Sequence, residues 1–175
     1  YKQAFELDPG NATLALRYGC RLFMAGQFEQ ARDRFRDAAQ YAPDNALPRY
    51  LEATTIPWTL HEEPNILRES LKLFAQANSS GKQIALPRPL WHPKLPPQGR
   101  QYAQLRREAI EECVAPIAQY RDYIMGVAAR QIKEKHTQYW DSWLQTLERA
   151  GDKLARSALL TDSEGDSGAG SASQA

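Results

Sequence analysis

Apolar and small residues fall on helical faces from early in the chain. Ala15, Tyr18, Gly19 and Leu22 step by three, one and three positions, which is one side of a helix. Gly26 followed by Phe28 marks a tight turn, glycine releasing the helix and the aromatic plugging the corner. A second helix carries Ala31, Phe35, Ala38 and Ala39 on one face and stops before Pro43. Leu47, Tyr50, Leu51 and Thr54 predict a third, cut at Pro57, after which Trp58 to Pro64 reads as a long irregular turn. Ile66, Leu67, Leu71, Phe74 and Ala75 predict a fourth, ended by Asn78-Ser79-Ser80-Gly81. Helix returns at Gln101. Tyr102, Leu105, Ala109 and Cys113 form one stripe and Ile117, Tyr120, Ile124 and Val127 another, with Pro116 as a kink or restart between them. Trp140, Trp143, Leu144, Leu147, Leu154 and Ala158 make a last stripe, with a turn expected at His136-Thr137. These patterns predict an all-α fold.

The first helices also repeat. A shift of 34 positions lays Tyr1 on Phe35, Ala4 on Ala38, Leu7 on Tyr41 and Pro9 on Pro43, with Asp8 on Ala42 a misfit. With Gly19, Ala31, Phe35, Ala38 and Pro43 in register, residues 12–45 resemble a tetratricopeptide repeat, and residues 1–9 resemble the end of a preceding one. Ala15 and Tyr18 depart mildly from the family's usual large residue and leucine. Residues 46–80 read as a degenerate further repeat whose spacing slips.

The expected organisation is therefore a short helical-hairpin solenoid over residues 1–80, its first repeat truncated, then a connector, a helical extension and a tail. Residues 81–100 hold Pro87, Pro89, Pro93, Pro96 and Pro97, which forbid regular helix and predict an extended connector pinned by Trp91. Pro93-Lys94-Leu95-Pro96 has the spacing of a ligand for aromatic-grooved modules, but the motif is short and common by chance, so the connector reading is preferred. Residues 101–160 form two or three longer helices, and residues 161–175, rich in Ser, Gly, Ala and acid, are expected to be disordered.

The resemblance implies an inner groove. It places Thr13, Leu16, Cys20, Phe23 and Met24 on the inner face of the first helix of the repeat. Family members that clamp a terminal carboxylate carry Lys, Arg and Asn on that face; here it is apolar, so that function is not supported. An apolar groove suits a partner helix or peptide, or else it is filled by the later helices of the same chain.

Composition removes most other functions. Twenty-two Lys and Arg against twenty-one Asp and Glu leave no field to recruit nucleic acid or an anionic membrane. Arg106, Arg107, Tyr120, Arg121 and Tyr123 are interleaved with Glu108, Glu111, Glu112 and Asp122, which argues against nucleic-acid binding at that stretch too. No apolar run approaches the roughly 20 residues of a membrane span. His61, His92 and His136 are scattered without metal spacing, and Glu62-Glu63 and Glu111-Glu112 read as solvated carboxylates rather than an acid–base pair. Cys20 reads as a buried packing thiol, and Cys20 with Cys113 makes no disulfide framework. No phosphate loop or serine elbow is present, so neither catalysis nor a cofactor is expected. The chain begins at Tyr1, so a preceding segment is expected and the compartment stays open, the cytoplasm being slightly favoured. The function expected is scaffolding through the groove. The competing expectation is a non-catalytic regulatory or linker portion of a larger enzyme or secretion machine.

Overall fold

The structure is a computed structural model describing residues 1–60, 63–79, 83–87, 99–133, 144–153 and 156. It is all-α. Six helices, α1 (Lys2–Leu7), α2 (Ala12–Met24), α3 (Phe28–Tyr41), α4 (Leu47–Thr59), α5 (Glu63–Ser79) and α6 (Gly99–Lys133), are followed by a helical stretch over residues 144–153. The tail, the Pro93–Pro96 motif, Trp91, Trp140, Trp143 and the turn expected at His136-Thr137 lie outside the described residues.

Local chemistry sets the first boundaries. Asn11 caps α2, its Oδ1 accepting from the Thr13 and Leu14 N–H groups at 3.1 Å each. Gly26 ends the α2–α3 turn at φ +74°, a left-handed conformation that glycine adopts without strain. Phe28, the first residue of α3, closes the corner edge-on to Phe23, with ring centroids 5.1 Å apart.

Each helix from α1 to α5 packs on the next, while α6 packs on α2 and α4. The core therefore has two sides. Ala15, Leu22, Ala31, Phe35 and Ala38 fill the α2–α3 hairpin, and Leu16, Cys20, Phe23, Leu51 and Ala53 join a cluster with Cys113, Tyr120, Ile124 and Val127 of α6.

Several expectations change. Pro57 does not cut α4, which runs on to Thr59; so close to the helix end, the missing N–H forfeits a single backbone bond. Trp58, Thr59, Glu63 and Pro64 are all helical, so only residues 60–62 separate α4 from α5. Pro64, second residue of α5, has no N–H to lose in a first turn. Pro116 neither restarts nor ends a helix: α6 is one element of 35 residues, about 52 Å long at 1.5 Å per residue. Helix resumes at Gly99, slightly before the expected Gln101. Leu144, placed on the last amphipathic stripe, is 59% exposed, whereas Ala150 is buried.

Of the connector, residues 83–87 are described, and they are extended rather than helical. Asn45, in the α3–α4 turn, holds them: its Oδ1 accepts from the Ala85 N–H at 3.0 Å and its Nδ2 donates to the Ala85 carbonyl at 2.9 Å. Gln83 O accepts from the Ala46 N–H, and Ile84 and Pro87 are buried.

Candidate functional site

Eight of the thirteen residues of α2 are buried, which leaves it apolar on two faces rather than one. One face meets α3. There Gly19 lies against Phe35, and Ala15 and Ala31 are fully buried. The other face holds the residues expected to line a groove, and α6 covers it. Leu16, Cys20 and Phe23 are at most 2% exposed, Thr13 is half-buried, and Met24 at the end of the helix is 53% exposed. Leu16, Cys20 and Phe23 thus lie under α6 rather than facing solvent. The physical reason lies in α6, whose Ala109, Cys113, Tyr120, Ile124 and Val127 make an apolar stripe that must be removed from water.

Three kinds of contact hold α6 in place. At the first crossing, Cys20 Sγ donates to Cys113 Sγ at 3.5 Å, both cysteines being free thiols. The hydrogen bond to Cys113, then burial, push the Cys20 thiol well above its ordinary value.

Beside the thiols lies an ion cluster. Glu112 accepts from Arg17 Nε at 3.0 Å and from Arg21 Nη2 at 2.5 Å, and the Tyr1 hydroxyl reaches the same carboxylate at 3.4 Å. The side chains of Arg17 and Glu112 are 8% and 13% exposed, so Glu112 is not the solvated carboxylate that its neighbours in the chain suggest. Arg17 also stacks over the Tyr1 ring, 5.3 Å from its centroid, which ties the N-terminal residue to the cluster. Glu111, by contrast, is exposed as expected.

Aromatic rings make the third kind of contact. Phe23, Phe28, Trp58 and Tyr123 form a chain of edge-on pairs, with centroids 5.1, 5.7 and 5.3 Å apart, running from α2 through α3 and α4 to α6. Tyr50, Phe74 and Tyr120 form a second chain from α4 through α5 to α6. The Tyr50 hydroxyl donates to Asn78 Oδ1 at 2.6 Å. Burial pushes the Tyr50 hydroxyl up to about 12 and the Tyr120 hydroxyl higher still. Asn78 Nδ2 in turn donates to the Thr146 carbonyl, and Lys153 Nζ donates to the Ala77 and Asn78 carbonyls at the end of α5.

A second buried carboxylate sits on the opposite side of α4. Glu52, 3% exposed at its side chain, accepts from Arg36 Nε at 2.8 Å and Arg49 Nη1 at 2.7 Å, with Arg32 Nε 3.9 Å away. It ties α3 to α4. An acid inside the largely apolar run Leu47–Leu60 signals such a partner, and Arg49, three positions before it, is one the run itself offers, but nothing in the run points to Arg36 of α3.

Among the described residues no group of three or more His, Cys, Asp and Glu could hold a metal ion, and no described helix is long and apolar enough to cross a membrane. Comparison with protein-family models, with curated proteins and with solved structures gives no match for this chain.

Proposed function

We propose that this chain is a non-catalytic scaffold of the tetratricopeptide type, part of a protein assembly, whose inner groove is filled by its own helix α6. The observation that carries this reading is the placement of α6. It packs on α2 and α4, the first helices of two successive hairpins, which are the helices that line the groove in such a repeat. The apolar face of Leu16, Cys20 and Phe23 supports a helix-in-groove mode satisfied within the chain.

A protein partner then meets the outside of α6. Val114 and Met125 are 48% and 64% exposed and stand eleven positions apart, so they share one side of the helix. Exposed Met24 sits at the rim, 3.9 Å from Gln119 Nε2 of α6.

Two variants test the reading. Phe23→Glu buries a carboxylate against α6 and Phe28 and is expected to lower unfolding stability by several kcal/mol. Parental stability for that variant would mean an open groove. Val114→Asp with Met125→Asp is expected to keep parental stability while losing protein partners in affinity capture. Retention of the same partners by the double variant would move the contact surface off α6.

A further inference from the structure

Cys20 and Cys113 are the only two cysteines of the chain, and the fold brings them together from positions 93 residues apart. Their exposures are 0% and 1%, and their sulfurs are 3.5 Å apart. A disulfide needs about 2.05 Å between sulfurs, so closure requires the two sulfurs to approach by about 1.5 Å. The backbone around them is held in register: Arg17, one turn before Cys20, pairs with Glu112, the neighbour of Cys113. Each sulfur thus faces the other across the crossing of α2 and α6.

We propose that Cys20 and Cys113 are a redox-modification site, at which a small-molecule disulfide oxidant joins them and fixes α6 on the inner face of α2. The step balances with oxidised glutathione. One cysteine thiolate attacks a glutathione sulfur, giving a mixed disulfide and releasing one glutathione thiolate. The second cysteine thiolate then attacks the protein sulfur of that mixed disulfide, forming the Cys20–Cys113 bond and releasing the second glutathione. Two electrons pass to glutathione, and the two cysteine protons end on the two glutathione thiols. Both sulfurs are sealed and the Cys20 thiol resists ionisation, so the exchange runs through openings in which α6 lifts from α2. Oxidation turns a contact that opens and closes into one that stays closed.

The inference rests on α6 occupying the inner face, and it needs no partner, so its failure is distinguishable from failure of the scaffold reading. The reduced full chain is incubated with oxidised glutathione, then denatured and alkylated with iodoacetamide. The expected product is a monomer lighter by the mass of two hydrogen atoms, with neither cysteine alkylated and a non-reducing digest linking the peptides of Cys20 and Cys113. Its melting temperature is expected to rise by about 10 °C, from the loop-closure entropy of a crosslink joining positions 93 residues apart, and to return to the starting value with dithiothreitol. Cys113→Ala, treated in the same way, shows no such rise. Stable glutathione adducts on both cysteines, disulfide-linked dimers, or two thiols still open to alkylation would each overturn the proposal. An intramolecular disulfide that lowers the melting temperature would overturn the locking of α6.

Discussion

A β-carbon added at Gly19 would lie 2.6 Å from Cε1 and 2.7 Å from Cδ1 of Phe35, a ring with no exposed surface. Gly19→Ala gains about 1 kcal/mol of helix propensity but must move a buried ring at about 1–3 kcal/mol, so a net loss is expected in urea unfolding. A gain in stability would mean that the α2–α3 contact is looser than described. The close approach at Gly19 was legible in the sequence because a small residue stands at the right step between Ala15 and Leu22. Glu112 was not. It stands among Arg106, Arg107, Glu108 and Glu111, a mixture that reads as solvated, and only Arg17, 95 positions earlier, makes it structural. Glu112→Gln keeps the shape and leaves the Arg17 guanidinium without its counter-charge, at an expected loss of about 3 kcal/mol. Equilibrium unfolding at neutral pH measures it, and a change below about 0.5 kcal/mol would place the pair among ordinary surface bridges.

At the level of elements, periodicity placed most helices and proline misplaced some of their ends. Pro57 suggests a cut and Pro116 a kink or restart, yet both lie inside continuous helices. Each ring removes one backbone donor, and packing supplies more than that loss: Pro57 is buried with Ile56 in α4, and Pro116 lies in α6 between the buried Cys113 and Tyr120. Propensity is local, whereas the burial that overrides it comes from elsewhere in the chain. The same limit applied to the groove. The inner face of α2 was identified as apolar, and what covers it depended on which helix reached it. Asn45 was missed because a lone Asn in a turn has many local uses, and its bonds to Ala85 are 40 positions away. Asn45→Ala removes these bonds and the one to the Leu47 N–H. About 1–2 kcal/mol of stability should go, together with faster native-state proteolysis within residues 83–87. Unchanged cleavage there would show that Ile84 and Pro87 hold the segment without help.

Across the whole molecule, the two aromatic chains make α6 part of one cooperative body with the hairpins. Tyr50 and Tyr120 give that body a pH signature. Burial raises both hydroxyls above the ordinary 10.0, Tyr50 to about 12, so the fold favours their neutral forms. The stability they contribute is complete below pH 10 and is lost as pH rises from there through about 12. Unfolding in urea at stepped alkaline pH should therefore show a steep decline over that range. Tyr50→Phe starts lower at neutral pH, having lost its bond to Asn78, and declines less steeply. Parallel curves for the two proteins would remove Tyr50 from the account.

The place of α6 in the chain has a consequence for how the protein is made. The surface of α2 that α6 covers leaves the ribosome some 93 residues before its cover, as the interval from Cys20 to Cys113 records. At 5–20 residues per second that is about 5–20 s, long compared with hairpin formation. During that interval Leu16 and Phe23 form an uncovered greasy strip on the nascent chain, exposed to any shielding surface until α6 arrives.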